Sequence, residues 1–159
     1  MARTFDEFTE SAKQVLVLAQ REAQRLEHAR VGTGHLILGL TNESDDLAAR
    51  LLRDAGAQLP ALRTALIDRL GLGSTTAGAI HGLTTRAKAV MSMAVEESER
   101  RKDRFIGTEH LLFGVLREGQ GAGIDILAAE GIDVAIFRKR LSQELNNRSG
   151  PTQGEPGAS

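Results

Sequence analysis

The chain has no cysteine, no tryptophan and no tyrosine among its 159 residues, and only three prolines. Without cysteine it has no disulfide, no thiolate metal site and no cysteine nucleophile. Five phenylalanines are its whole aromatic complement, so platforms for stacking nucleic-acid bases are not expected. An excess of one charge is missing too: 20 Lys and Arg face 21 Asp and Glu, a net charge of −1. Nucleic-acid binders normally carry a basic surplus, so no nucleic acid is expected as a partner. Every apolar run is far shorter than the roughly 18 residues of a membrane span, and Met1-Ala2-Arg3-Thr4-Phe5-Asp6-Glu7 has no apolar signal core. A soluble, cytoplasmic protein with no membrane partner is the expectation. Catalytic signatures are missing as well. The absence of any Gly-Lys dipeptide excludes a P-loop, and neither HExxH nor GxSxG occurs. No cofactor is expected.

What is present is a repeat. Shifted by 75 residues, Thr9-Glu10-Ser11-Ala12-Lys13 lies over Thr84-Thr85-Arg86-Ala87-Lys88, and Gly32-Thr33-Gly34-His35-Leu36 over Gly107-Thr108-Glu109-His110-Leu111. Gly39 meets Gly114, Gly56 meets Gly131, Arg63 meets Arg138 and Leu66 meets Leu141. From 8–70 against 83–145 no gap is needed, and 18 of the 63 pairs are identical. Chance gives roughly 6% at average composition, so the chain is a duplication, with two halves about a pseudo-twofold axis.

Inside each copy the apolar residues keep helical spacing. Ala12, Val15, Leu16, Ala19, Ala23 and Leu26 form the stripe of a first helix with Thr9 as N-cap. A second helix starts at Thr33, its expected N-cap, and turns Leu36, Ile37 and Leu40 inward. A third runs through Leu47, Ala48, Leu51, Leu52 and Ala55 and stops at Gly56. Pro60 suits the first turn of a fourth, which would bury Leu62, Leu66 and Leu70. The second copy repeats the plan with Ala87, Val90, Met91 and Ala94; Leu111, Leu112 and Val115; Ile124, Leu127 and Ala128; and Val134, Phe137, Leu141 and Leu145. The fold class is all-α: eight helices in two pseudo-symmetric four-helix repeats. The boundaries are 1–70 for the first repeat, 71–82 for a flexible linker, 83–146 for the second repeat and 147–159 for a disordered Gly/Pro/Ser-rich tail.

Four histidines, His28, His35, His81 and His110, are the main candidates for metal or acid–base chemistry. His35 and His110 are repeat mates in the first turn of their helices, without a recognisable further ligand set. Both read as partly buried, hydrogen-bonded structural residues, and no metal is expected. The run Glu96-Glu97-Ser98-Glu99 reads as a solvated helix face ahead of Arg100, Arg101 and Lys102. A hydrolase built on His and carboxylates is disfavoured, since no nucleophile–base spacing stands out. One pattern invites a ligand: a Thr opens the first helix of each half, and a Gly-Thr step opens the second. Free amides at a helix start attract anions, and Glu109 adds an acceptor beside them. Such a pair suits a phosphate joined to a guanidinium, although every one of these residues also serves as a helix cap.

The duplicated Gly-Thr-x-His-Leu motifs, with Phe5-x-x-Phe8-Thr9 ahead of the first and Arg117-Glu118-Gly119 after the second, resemble the Clp N-terminal domain. That double-repeat module stands at the front of bacterial ClpC- and ClpA-type unfoldases, and ClpC is the nearer in pattern. The resemblance covers about residues 5–146. It implies eight helices in two bundles, no catalysis, and a monomer that receives protein substrates or adaptors of the Clp protease. It also implies a phosphoarginine site in each repeat, from the first-helix Thr and the Gly-Thr-Glu-His motif. Carried over, the second site is Thr84, Thr108 and Glu109, while the first keeps Thr9 and Thr33 but has Gly34 in place of Glu. Losing a charged partner weakens a site by roughly 1.5–3 kcal/mol, so the first is expected to be silent. An apolar ligand groove is implied near Phe5, Leu83 and Lys88, with Leu83 where the family often has Phe. No ATPase module follows, so a stand-alone recognition protein is expected. A fragment of a larger unfoldase and a helical scaffold without phosphoarginine binding are the alternatives.

Overall fold

The computed structural model describes residues 5–74 and 82–148, with Phe5 in its backbone alone. A short 3-10 turn, Phe5–Glu7, precedes α1 (Glu10–Arg25), α2 (Thr33–Leu40), α3 (Leu47–Asp54) and α4 (Leu59–Leu70). The second half supplies α5 (Thr85–Arg100), α6 (Thr108–Glu118), α7 (Ala122–Ala129) and α8 (Val134–Arg148). Eight α-helices and no strand are thus found among the described residues, as the periodicity requires. None of these helices is long and apolar enough to cross a membrane. Part of the expected linker, residues 75–81 with His81, and the tail from 149 on lie outside the described residues.

The hairpins α1–α2 and α5–α6 repeat one packing device. A Cβ on Gly39 would stand 2.6 Å from the Val15 carbonyl oxygen and 3.1 Å from the Ala19 nitrogen; one on Gly114 would stand 2.6 Å from the Val90 oxygen. Small residues on α1 and α5 let the paired helices approach this closely. As a result α2 and α6 are the buried centre of the fold: every residue of α2 is buried, and so are eight of the eleven in α6.

The halves interlock. α2 packs more extensively on α7 than on its own neighbour α3, and α6 more on α3 than on α7. Two isolated parallel bridges, Phe8 with Ile106 and Val31 with Leu83, stitch the entry of each half to the other. Through them Thr9 N–H donates to the Ile106 carbonyl at 2.9 Å, and Thr84 N–H to the Val31 carbonyl at 2.9 Å.

Four local expectations need correction. Gly32 and Gly107, not Thr33 and Thr108, are the N-caps of α2 and α6. The third helical residue, a His each time, takes the cap amide: Gly32 N–H donates to His35 Nδ1 at 2.9 Å and Gly107 N–H to His110 Nδ1 at 2.8 Å. Leu70 is 52% exposed, because α4 ends there and its last turn projects beyond the core. Glu97 and Ser98 are buried, not solvated. Glu97 tolerates burial because Arg100 and Arg101 both hold its carboxylate, as Arg63 holds its repeat mate Glu22 at 2.8 Å. Glu22 in turn keeps the Arg63 guanidinium above its usual range through a hydrogen bond. Finally, α8 runs on to Arg148, past the boundary at 146.

The helices α1 and α5 end in the same turn. Glu27 and its mate Lys102 both have φ 60°, a left-handed conformation. The next amides reach back five residues, His28 to the Ala23 carbonyl at 2.9 Å and Asp103 to that of Ser98 at 2.8 Å. A non-glycine residue there carries about 1 kcal/mol of strain. Lys102→Gly is therefore expected to raise stability by about 0.5–1 kcal/mol. An unchanged or lower urea midpoint for that variant would contradict the expectation.

Candidate functional site

These turns aim His28 and Asp103 at the starts of α2 and α6. His35 Nε2 lies 2.8 Å from His28 Nδ1, and His110 Nε2 lies 2.7 Å from Asp103 Oδ2. Since both N3 histidines accept at Nδ1, each carries a ring proton on Nε2. His35 then donates to His28, and His28 Nε2–H donates to the Gly71 carbonyl at 2.8 Å. Burial foremost, then the neighbouring His28, pushes His35 from 6.5 down to about 4, with Glu22 opposing. At the other start, burial alone would raise the Asp103 carboxyl. The hydrogen bond from His110 and the nearby Arg148 and Arg101 outweigh it and hold that carboxyl below its usual range. Both histidines are fully buried structural residues, 3% and 1% exposed. Among the described residues no cluster suited to a metal ion is found.

The threonines do not group as their sequence order suggests. Thr84 caps α5, whose 16 residues span about 24 Å, and α6 begins at the far end of that hairpin. Thr84 therefore does not meet Thr108 and Glu109. It sits at the start of α2 instead, where a Cβ on Gly32 would touch its Cγ2 at 3.4 Å. Thr9 is carried in turn by the Phe8–Ile106 bridge to the start of α6. The two sets are thus Thr84 with Thr33 and Gly34, and Thr9 with Thr108 and Glu109. The physical reason is the interlocking of the halves: each strand-like entry segment pairs with the opposite repeat.

The two starts have opposite character. At α2 an open cavity of about 300 Å³ is lined by Arg30, Thr33, Thr84, Arg86, Leu70 and Ala122, among others. A Cβ on Gly34 would meet Leu66 Cδ1 at 2.6 Å and Ala122 Cβ at 3.3 Å, so a side chain there requires the Leu66 side chain to shift. The Thr33 hydroxyl accepts from Gly123 N–H at 2.9 Å, in the first turn of α7. At α6 the surroundings are acidic: Asp46, Asp103 and Glu109. The Thr108 hydroxyl donates to Asp46 Oδ1 at 3.0 Å and is buried. Both Thr9 and Thr84 accept an amide of their own helices, at 3.0 and 3.1 Å, and keep a hydroxyl proton to donate. Glu109, its side chain 15% exposed, is held by the guanidinium of Arg148. Of the implied apolar groove, Leu83 packs partly buried against the core and Lys88 is exposed on α5. The Phe5 side chain lies outside the described residues.

Sequence reasoning missed Asp46, Asp103 and Arg148, and it did not pair His28 with His35. The 75-residue register holds the signal for two of them, because His28 and Asp103 are repeat mates exactly as His35 and His110 are. For Arg148 no such signal exists, since its mate is Gly73.

Known proteins resemble this chain in sequence and in fold. The Clp repeat (R) N-terminal domain family matches residues 7–130 and 82–159. The ClpB chaperone of Oceanobacillus iheyensis is 35% identical over 155 residues, covering 96% of this chain and 19% of its own. A chloroplastic ClpA homologue of Solanum lycopersicum is 38% identical over 153 residues, covering 94% of this chain and 17% of its own. The chain thus spans less than a fifth of the length of these relatives. The crystal structure of the N-terminal domain of ClpD from Arabidopsis thaliana superposes with a TM-score of 0.76 at 25% identity, covering 89% of this chain and 99% of that one. The Hsp104 N-terminal domain of Candida albicans, at 16% identity and TM-score 0.66, covers 87% of this chain and 91% of its own and shares the fold. With duplicated helices, paired Gly-Thr-x-His-Leu starts and a family match along nearly its whole length, the chain belongs to the Clp repeat N-terminal domain family.

Proposed function

We propose that the chain is a non-catalytic recognition module of a Clp system, which binds protein substrates or adaptors and reads arginine-phosphorylated segments at the start of α6. By occupancy it would modulate Clp proteolysis, through delivery or through competition with an unfoldase. The observation that carries this reading is a guanidinium, that of Arg148, already seated on Glu109 beside the first amides of α6. The carboxylate selects a guanidinium, the helix start favours a phosphate, and the Thr9 hydroxyl adds a donor. The α2 start lacks the carboxylate, and the packing of Leu66 and Ala122 against Gly34 supports a silent first site. A scaffold without phosphoarginine binding is the second reading, favoured by the Thr108 hydroxyl being committed to Asp46.

Calorimetric titration of free phosphoarginine separates the two, with arginine and phosphoserine as controls. One equivalent is expected, lost in Glu109→Ala. Binding unaltered by that substitution would overturn the assignment to α6. Two equivalents would bring the α2 start into play. Failure of both the native chain and Arg148→Gln, whose Glu109 is unpaired, would remove phosphoarginine and leave the scaffold.

A further inference from the structure

The end of α8 lies across the site just described. Arg148 Nη1 donates to Glu109 Oε2, and Nη2 donates to Asp103 Oδ2 at 3.3 Å. Two residues earlier, Asn146 Oδ1 accepts from Arg101 Nη1 at 2.9 Å, so the last turn is tied down twice. The tie is imperfect. Arg148 Nε is buried with no hydrogen-bond partner, an arrangement that disfavours the closed state. It is also made by the last turn of a helix, the part that opens at least free energy. The first half has no counterpart. Its α4 ends at Leu70, Gly73 stands at the repeat position of Arg148, and Gly34 at that of Glu109.

We infer that Arg148 is a built-in competitor: its guanidinium holds the α6 site closed in the free chain, and a guanidinium-bearing ligand binds by displacing the end of α8. This inference rests on the recognition reading and adds regulation of the same site. The Arg148 fork spans Glu109 and Asp103, one nitrogen on each, so a second guanidinium that forks onto Glu109 must displace it. Ligand binding and the α8 latch are therefore mutually exclusive, and each weakens the other by the same factor.

The test uses the whole chain. Arg148→Gln is expected to bind phosphoarginine about tenfold more tightly than the native chain, with a parallel gain for arginine and none for phosphoserine. Hydrogen exchange reads the latch without any ligand: Glu109→Gln should speed exchange at residues 145–148 several-fold, as should saturating phosphoarginine on the native chain. Equal affinities of native and Arg148→Gln chains would overturn the latch while leaving the recognition reading intact. Unchanged exchange in Glu109→Gln would also overturn it, because the tie would then hold nothing. If neither chain binds phosphoarginine, the recognition reading and the competitor fall together.

Discussion

Gly39→Ala is expected to destabilise the protein by about 2–4 kcal/mol. The added carbon would lie 2.6 Å from the Val15 carbonyl oxygen, 3.1 Å from the Ala19 nitrogen and 3.4 Å from the Ala19 Cβ. The first two are main-chain atoms in the middle of α1, so no rotamer change relieves the clash. α1 and α2 must separate, and α2 is buried along its whole length and packs on α7 as well. For a domain of this size the midpoint of thermal unfolding should fall by about 5–15 °C. Gly114→Ala should behave alike, since its Cβ meets the Val90 oxygen at the same 2.6 Å, and the double variant should fail to fold cooperatively. Gln14→Ala, on the exposed face of α1, is the control and should change little. A loss below about 0.5 kcal/mol for Gly39→Ala would show that the helices are not held at this distance in solution.

Acid should strike the α2 start next. His35 is neutral in the fold because Nδ1 accepts from Gly32 and Nε2 donates to His28. A proton added at Nδ1 would face the Gly32 N–H. In the native chain His35 takes a proton only near pH 4, against 6.5 for the ordinary side chain. Above 6.5 it is neutral in folded and unfolded states alike. Between 6.5 and about 4 the unfolded chain binds a proton that the folded chain does not, so stability declines as pH falls through that window. At about 1.4 kcal/mol per pH unit the full loss is ~3 kcal/mol. Asp103, held below its usual range, behaves as a depressed carboxylate. Its contribution persists above its unfolded value and is lost only as pH falls further, toward its lower native one. His35→Gln isolates the histidine, because Gln at the third helical position still accepts the cap amide but does not titrate. Urea unfolding from pH 7 to 4.5 should show a steep decline in the native chain and a shallower one in His35→Gln. Parallel declines would rule out His35 as the source.

The helices themselves were legible in the sequence. Spacing of Ala12, Val15, Ala19 and Ala23, or of Ala87, Val90 and Ala94, describes an apolar stripe whatever it packs against. Thr9, Thr84 and Gly56 mark ends through backbone geometry that acts over three or four residues. Thr33 and Thr108 misled because a Thr before an apolar run looks like a cap. The cap amide is taken instead by a His three residues on, and the hydroxyl is drawn to the opposite half. Glu97 misled for a related reason: its burial rests on arginines three and four residues later folding back over it, while the charge run by itself reads as solvated.

By itself the sequence determined the duplication, the eight helices, their all-α class and the family to which they belong, because these follow from local periodicity and motif identity. Only the tertiary structure decided which residues share a site. The two halves cross-pack through short bridges at Phe8–Ile106 and Val31–Leu83, contacts between residues far apart in the chain that leave no periodic trace. That crossing assigns Thr9 to Glu109 and Thr84 to Gly34 and sets Ala122 beside Gly34, while packing within each half puts Leu66 beside Gly34 and Arg148 against Glu109 and Asp103.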